Sequence, residues 1–506
     1  MSGSGAWDGL FEDVGEVLAD RPVAWGWLTG LQFHPSMEVL VRLAADHHDL
    51  AFGRQPPEVV DAAVASTEWR VRRYWAERQE GMSLAQWERL IRDQPQPEWQ
   101  QHFLAYHARR HAPRPPMEWF ARRAADPDPW RRRQALWFRG VPGEVVAALA
   151  TDPDPAVRTE VCVRASEELG GEQRAALLAD PDPRVREAAR ELLEDELSLA
   201  GFTALDEEER AGALSWRKPD GELLRHLAAH PDPVLRREAA LARLAPELLH
   251  ALAEDPDEEV RARIALREDV PDEVRDRAAA GLSPNRNSWD LPWVEDLHGD
   301  DAAMRRLAAS ASVPVRRSVA RARTLPPDVL ALLARDPDHL VRAHLAHHNE
   351  APPAELLLRT ARTYGVDPAP LVHHPRFPRA ELHAGLSEDP APLVRRLALY
   401  AADCTPQTVE RLAGDPDPLV HELAAADPRL PRAVLLRLLE ATGADLRADR
   451  RTSLHRGVAT NPALPLPLLF GLLRDRRSAS DAAANPAIPV PVALRMIDLA
   501  AVASWP

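Results

Sequence analysis

Four histidines lie in the segment LLARDPDHLVRAHLAHHNEAPPAELLL, which covers residues 332–358, and three of them, at positions 344, 347 and 348, lie close together. His344 and His348 are four residues apart, so on a helix their imidazoles would share one face, and two imidazoles at that spacing can bind zinc. A zinc site also needs an HExxH pattern or a third protein ligand, and the segment supplies neither. His107 and His111 have the same spacing, and their segment likewise lacks an HExxH pattern and a third ligand. We therefore interpret these histidines as solvated helix faces and predict no metal site.

The aspartate pair of the same segment could indicate a calcium loop. An EF-hand loop needs a glycine at its sixth position and a glutamate at its twelfth, and the segment has neither. The chain also lacks a glycine-rich phosphate loop and a GxSxG elbow, and its two cysteines, Cys162 and Cys404, form no CxxC pair. We therefore predict no catalytic residue, no cofactor and no enzyme activity. The alternative is a catalytic site assembled from residues of distant repeats.

The aspartates belong instead to a segment that recurs along the chain. DPDHLVR at residue 336 has counterparts that begin at residues 152, 180, 230, 255, 389 and 415, and weaker ones at 66, 126 and 310. Neighbouring starts are 25 to 28 residues apart, or about twice that. A second pattern follows, in which a polar residue and one or two prolines precede a leucine-rich stretch, as in NPALPLPLLFGLL at residue 461. The chain is therefore an array of small units.

Each unit predicts two short helices. In DPDPAVR, Asp154 is a good N-cap and Pro155 suits the first helical position, where no backbone donor is lost. The second pattern likewise places proline in the first turn of a leucine-rich helix. Neither helix can bury its apolar side alone, so neighbouring units must stack. We therefore predict an all-α chain, an α-solenoid whose units have roughly 24–28 residues.

The D-x-D-P-x-V-R spacing, with an arginine six residues after the first aspartate, resembles HEAT-type repeats. The short period and the NPxxPxxLL pattern resemble the leucine-rich-repeat variant (LRV) family, whose units alternate an α-helix with a 3₁₀ or short helix. The resemblance covers most of the chain from about residue 120 onward. It implies a right-handed α-solenoid of HEAT/LRV-like two-helix repeats, and it says almost nothing about activity. Iron–sulfur members of the variant family use an N-terminal cysteine group, which is missing here, so no cluster is expected.

Aspartate and arginine recur together in register, and we expect each arginine to pair with an aspartate of its own or the adjacent unit. The alternative is a stripe that binds an anionic ligand. The predicted structural ladder comprises Asp152, Arg158, Asp180, Arg186, Asp255, Arg261, Asp336, Arg342, Asp389 and Arg395. For the domains we predict an N-terminal helical cap at 1–34, divergent Trp/Arg-rich helical repeats at 35–140, and a regular solenoid at 141–506 with an insertion near 283–303.

One block differs from the rest of this acidic chain, whose net charge is −15. Residues 67–140 contain seven of the 14 tryptophans and carry 15 arginines against nine acidic residues. Such a composition is typical of protein-binding hot spots and of surfaces that stack bases, but tryptophan could equally fill the spaces between divergent units. With the insertion included, the candidate partner-binding residues are Trp69, Arg72, Arg73, Trp75, Trp87, Trp99, Trp119, Trp130, Arg131, Arg133, Trp137, Trp289 and Trp293.

These patterns favour a noncatalytic scaffold or adaptor that binds a protein or peptide on a solenoid surface. The alternative is a nucleic-acid-binding protein that resembles HEAT-like DNA glycosylases, which place Trp, Asp and Arg around an exposed nucleotide. The negative net charge disfavours a nucleic-acid partner. The acidic N-terminus does not look like a secretory signal and no run of 18 apolar residues occurs, so we expect a cytoplasmic protein without a membrane span. The partner's identity and the oligomeric state stay open.

Overall fold

The structure is a computed structural model, and it describes residues 4–46, 55–78, 82–91, 97–166, 168–191, 196–216, 218–283, 291–363, 368–443 and 449–503. The regular secondary structure of these residues is helical apart from one parallel pair of two-residue strands, β1 (Glu196–Leu197) and β2 (Lys218–Pro219), so the prediction of an all-α chain is confirmed. The chain divides into two compact units: unit 1 is Met1–Arg92 with Leu357–Pro506, and unit 2 is Asp93–Leu356. No helix in the described ranges is long and apolar enough to cross a bilayer.

The α-helices are short, with 4 to 14 residues each. The first part of unit 1 contains α1 (Val14–Ala19), α2 (Arg21–Leu31), α3 (Met37–Asp46), α4 (Pro57–Ala65), α5 (Trp69–Arg78) and α6 (Leu84–Ile91). Unit 2 contains α7 (Glu98–His111), α8 (Met117–Ala124), α9 (Pro129–Gln134), α10 (Gly143–Leu149), α11 (Pro155–Arg164), α12 (Gly171–Leu178), α13 (Pro183–Ala189), α14 (Leu199–Ala204), α15 (Glu207–Trp216), α16 (Gly221–Ala228), α17 (Pro233–Ala239), α18 (Pro246–Ala253), α19 (Glu258–Ala265), α20 (Asp272–Ala279), α21 (Pro292–Glu295), α22 (Asp301–Ala308), α23 (Val313–Ala320), α24 (Pro327–Leu333) and α25 (His339–His348).

At the boundary between the units lies α26 (Ala354–Ala361). The second part of unit 1 then contains α27 (Ala369–Val372), α28 (Pro392–Arg395), α29 (Pro406–Leu412), α30 (Pro418–Ala426), α31 (Arg432–Gly443), α32 (Asp449–Thr460), α33 (Leu466–Arg474), α34 (Ala479–Ala483) and α35 (Val490–Ala503). Short 3₁₀ helices occur at Ser4–Phe11, Ala135–Trp137, Arg379–Glu381, Ala384–Glu388 and Arg396–Tyr400.

The Asp-Pro segments begin helices in the way that capping chemistry predicts. At the start of α11 the side chain of Asp154 accepts a hydrogen bond from the Ala156 backbone N–H at 2.8 Å, with Pro155 in the first helical turn. Asp182 caps α13 in the same way. Because proline has no N–H to leave unsatisfied at this position, the segment Asp-Pro stops one helix and starts the next at little cost. The predicted cap at Asp154 is confirmed.

The ladder arginines join consecutive sequence repeats. Nη1 of Arg158 donates to the Asp152 carbonyl of its own repeat at 2.7 Å. Its Nε and Nη2 both donate to the Asp180 carboxylate of the next repeat at 2.7 Å. These hydrogen bonds raise the pKa of Arg158 and lower the pKa of Asp180. The same fork joins Arg132 to Asp152, Arg236 to Asp255, Arg316 to Asp336 and Arg395 to Asp415. Arg186, Arg261 and Arg342 likewise donate to the carbonyl of the first aspartate in their own repeats.

Within unit 1 the two ends of the chain pack together, with α2 against α34 and α35. Gly26 and Gly30 are one turn apart on α2 and allow the helices to approach closely. A Cβ on Gly30 would lie 2.1 Å from the Ser480 carbonyl oxygen and 2.5 Å from the Cβ of Ala483. The contact therefore depends on residues that lack a side chain at these two positions.

The turn after α2 continues a series of turns from the C-terminal part of unit 1. The Oδ1 atoms of Asn461 and Asn485 accept from the backbone N–H two residues further on, and their Nδ2 atoms donate to backbone carbonyls of the preceding segment. His34 makes the equivalent pair of bonds: Nδ1 accepts from the Ser36 N–H at 3.0 Å, and Nε2 donates to the Ile488 carbonyl at 2.9 Å. The turn at His34 therefore packs against the turn that follows Asn485.

Candidate functional site

The histidines that could bind a metal lie on helix faces. His344 and His348 are one turn apart on α25, with ring centroids separated by 5.7 Å. Across the described ranges, no three side chains of His, Cys, Asp or Glu are grouped as a metal ion would require. Cys162 and Cys404 are buried and form no disulfide. Burial raises the pKa of the Cys162 thiol to about 11, so this thiol is protonated at neutral pH.

The candidate residues in unit 1 are divided between its core and its surface. Trp75 on α5 and Trp87 on α6 are buried, and so is the side chain of Arg72. Trp69 is half-buried and Arg73 is exposed. The two buried indoles contribute to packing, which is the role that the space-filling interpretation gives to tryptophans in this block.

In unit 2, Trp119, Trp130 and Trp137 are buried. The rings of Trp130 and Trp137 meet edge to face at 5.3 Å, and the indole N–H of Trp137 donates to the buried Glu160 carboxylate at 2.9 Å. Arg133 donates to the same carboxylate at 2.6 Å and lies over the Trp130 ring. These side chains form one cluster that holds α9 against α11. Of the remaining candidates, Arg131 is half-buried, and Trp289 lies outside the described residues.

One face of α7 is different, because its large side chains are exposed. Trp99 and Tyr106 are each 57% exposed, and His102 and Arg110 are exposed beside them. These four residues are spaced by three, four and four positions, so they lie on one side of a helix with 3.6 residues per turn. We call Trp99, His102, Tyr106 and Arg110 the α7 outer face. It combines aromatic rings with a guanidinium, which are the side chains that contribute most to protein interfaces.

The opposite side of α7 fixes this helix in unit 2. Leu104 and Ala108 are buried there, and the Gln101 side chain accepts a hydrogen bond from Arg133 at 3.3 Å. Arg109 reaches sideways and donates to the Arg164 carbonyl at 2.8 Å. The α7 outer face is therefore presented by a helix that the rest of unit 2 holds in one orientation.

Unit 2 also contains an open cleft of about 570 Å³ between two distant stretches of chain. One wall comes from residues 114–142, within the basic and aromatic block, and the other from residues 268–306, which overlap the predicted insertion. The volume is within the range of small-molecule sites, roughly 300–1,000 Å³. Proline and aromatic side chains provide much of the lining, including Pro115, Pro116, Phe120, Pro142, Pro271 and Trp293.

Trp293 is the aromatic surface of the second wall. Its indole N–H donates to the Leu266 carbonyl at 3.1 Å, which fixes the plane of the ring. The guanidinium of Arg275 lies 4.7 Å from the ring centroid, in a cation–π contact. Arg275 is only 2% exposed; it pairs with Asp272 and donates to two backbone carbonyls of the loop before α20. Burial is the main cause that lowers the pKa of Arg275 from the usual arginine value.

Asp296 joins the two walls. Its Oδ1 accepts from Nη2 of Arg139 at 2.7 Å and from the backbone N–H of Arg114 at 3.0 Å. The Arg114 side chain then passes over Gly140, which has φ of +72° and where a Cβ would lie 2.3 Å from Arg114 Nε. Within the described part of the chain, the guanidinium of Arg114 has one charged partner, Glu268 at 3.7 Å, which is beyond hydrogen-bonding distance.

The charges that line the cleft balance. Three guanidinium groups (Arg114, Arg275 and Arg306) face three carboxylates (Glu268, Asp272 and Asp296), and Arg139 behind the first wall adds one positive charge. Burial is the main cause that lowers the pKa of His111, beside Arg139, to about 4, and His107, Arg110 and Arg139 lower it further. A surplus of one positive charge is small beside the several cations that a nucleic-acid backbone requires.

Sequence reasoning identified Trp293 in the cleft but missed Arg114, Arg139, Arg275 and Asp296. One signal was present, because VPDEVRDRAA places Arg275 where the equivalent helix TLPPDVLALLA has a leucine. An arginine at a position where the equivalent helix has a leucine indicates a special contact. No comparable signal exists for Arg139 and Asp296, which are 157 residues apart in sequence.

Comparison of the chain with known protein families finds no match, and comparison with curated proteins finds none either. The function of the α7 outer face and of the cleft must therefore be inferred from their geometry and chemistry.

Proposed function

We propose that the chain is a noncatalytic α-solenoid scaffold of the HEAT or leucine-rich-repeat variant type, which binds a protein or peptide through the α7 outer face. Two observations support the solenoid. Helices that begin in the recurring segments pack on the next such helix, as α11 on α13, α17 on α19 and α23 on α25. The arginine forks also link one sequence repeat to the next, as stacked repeats require.

The observation that carries the binding function is the exposure of Trp99 and Tyr106 on one face of a fixed helix. A partner that covered both rings would remove a large apolar area from water, and each ring would lose little rotational freedom because α7 is already held in place. Arg110 on the same face favours a partner with carboxylate groups at the edge of the contact.

A protein partner is favoured over a nucleic acid. The arginines of unit 2 are largely engaged in ion pairs within the unit, as in the forks and in the Glu160 cluster, so few remain to neutralise phosphates. The two cysteines are unpaired, which is compatible with a reducing compartment, and we propose a cytoplasmic location.

The test is affinity capture from host extract with the full chain as bait, in the presence and absence of nuclease. The variant Trp99→Ala/Tyr106→Ala removes both rings. Val234→Ala/Leu241→Ala is the matched control, because these two apolar residues of unit 2 are also exposed. We expect one protein that withstands nuclease, is retained by the control and is lost with the α7 variant. Circular dichroism and thermal unfolding must show that both variants keep the wild-type fold.

Two results would contradict the proposal. The first is a protein that both variants capture equally, which would place the binding surface elsewhere. The second is recovery of nucleic acid alone, lost at high salt, which would favour the nucleic-acid alternative.

A further inference from the structure

We propose that the cleft of unit 2 is a second binding site, separate from the α7 outer face, and that it takes a ligand in which a planar aromatic ring carries a carboxylate. The ring would stack on Trp293 and the carboxylate would pair with Arg114. Asp296, one turn after Trp293, accepts a hydrogen bond from the Arg114 backbone N–H, so the two chain segments that carry these residues are joined.

The ring half of the proposal rests on the environment of Trp293. Its N–H is already used by the Leu266 carbonyl, so what the indole offers the cleft is its apolar surface. Met117, which is 51% exposed, provides further apolar surface on the opposite wall. A cationic ligand is disfavoured, because the Arg275 guanidinium already occupies one face of the ring at 4.7 Å and would repel a second cation on the other.

The carboxylate half rests on Arg114. Its guanidinium is positioned by the close approach to Gly140, yet its described charged partner, Glu268, is 3.7 Å away, and both side chains are more than half exposed. A ligand carboxylate can therefore form the paired hydrogen bonds that Glu268 does not form. The single surplus positive charge of the region suits a monoanion.

Arg275 itself has an architectural explanation. Its Nη2 donates to the carbonyls five and eight residues earlier, and Arg174 donates to the carbonyls at the same two offsets. Arg275 therefore ties the loop before α20 in the way that Arg174 ties the loop before α12. What this architecture does not explain is the loosely paired Arg114 beside a fixed, half-exposed Trp293.

The experiment is a ligand-observed NMR titration of the full chain with three probes that share one phenylpropyl skeleton: 3-phenylpropionate, 3-phenylpropionamide and 3-phenylpropylamine. We expect the acid to bind about fivefold more tightly than the amide, as one half-exposed ion pair allows, and the amine to bind most weakly. Arg114→Gln should abolish the preference for the acid over the amide. Arg305→Gln, which breaks an exposed ion pair with Asp328 away from the cleft lining, is the control and should preserve it.

The proposal is overturned if the amine binds as tightly as the acid, if the preference for the acid survives in Arg114→Gln, or if no probe binds up to its solubility limit. The peptide Gly-Gly-Phe, as free acid and as amide, distinguishes two sources of the same chemistry. Tighter binding of the peptide acid than of 3-phenylpropionate assigns the cleft to protein C-termini, and weaker binding assigns it to a free aromatic acid.

Discussion

Adding one methyl group at Gly30 should loosen the packing of α2 on α34, whereas the same addition at Gly471 should not. A Cβ on Gly30 would lie 2.1 Å from the Ser480 carbonyl oxygen, although ordinary contacts begin near 3.4 Å. The obstacle is backbone, so it cannot rotate aside and the helices must separate. At Gly471, in the interior of α33, nothing lies within 4 Å of the added atom.

The two substitutions should therefore differ in their effect on the free energy that stabilises the helices. Alanine is favoured over glycine inside a helix by about 0.8–1 kcal/mol, so Gly471→Ala should be neutral or stabilising. Overpacking of a helix contact costs roughly 1–3 kcal/mol, and two separate clashes at Gly30 place it at the upper end of that range. After the helix preference is subtracted, Gly30→Ala should weaken the contact by about 2 kcal/mol.

Hydrogen exchange followed by mass spectrometry measures this locally. A loss of about 2 kcal/mol corresponds to roughly thirtyfold faster exchange through local opening. In Gly30→Ala we expect this acceleration in peptides from α2 and α34 and no change in peptides from unit 2. Wild-type protection of α2 and α34 in Gly30→Ala would refute the close approach of the two helices. Equal effects of both substitutions would refute the explanation by a steric clash at Gly30.

Three further predictions concern the ladder, acid stability and the tryptophans. Asp180→Ala leaves the fork of Arg158, whose side chain is only 12% exposed, unpaired and should cost about 3 kcal/mol in urea unfolding. Asp328→Ala, at an exposed pair, should cost less than about 1 kcal/mol, and equal costs would contradict the structural role of the fork. The pKa of Asp257 is lowered to about 2, first by its hydrogen bond with Arg237, so its stabilising effect is complete above about pH 4 and is lost as pH falls toward 2. The acid-unfolding curve of Asp257→Asn should therefore differ less from that of the wild type at pH 2 than at pH 5. Trp119→Ala should destabilise by roughly 3–5 kcal/mol in thermal or urea unfolding, because the side chain is buried against Phe138; a loss under 1 kcal/mol would contradict that burial.

Local chemistry made part of this molecule predictable. Asp154 and Pro155 determine where a helix begins, and the constant spacing of aspartate and arginine indicated pairing in register, as Arg158 and Asp180 show. These features depend on residues that lie within about one sequence repeat of each other, where the chain itself limits the geometry.

Other features depend on contacts that no local pattern encodes. Trp87 and Trp99 occur in the same basic block, yet one is buried and the other is exposed, because burial depends on which helices pack around each. The cleft requires Arg139 to meet Asp296, and the packing of the chain ends requires Gly30 to meet Ser480. Pairings across such separations cannot be chosen from one sequence without the packing that selects them.

The packing of α2 on the C-terminal helices has a consequence for synthesis. The indole of Trp27 donates to the carbonyl of Leu473, 446 residues later in the chain. At typical elongation rates the nascent chain would carry α2 without this partner for roughly 20–90 s. Unit 2 is a continuous stretch and can fold during that time, whereas unit 1 must wait for the last helices to leave the ribosome. We expect the emerging N-terminal segment to be the part of this protein that most needs protection by chaperones.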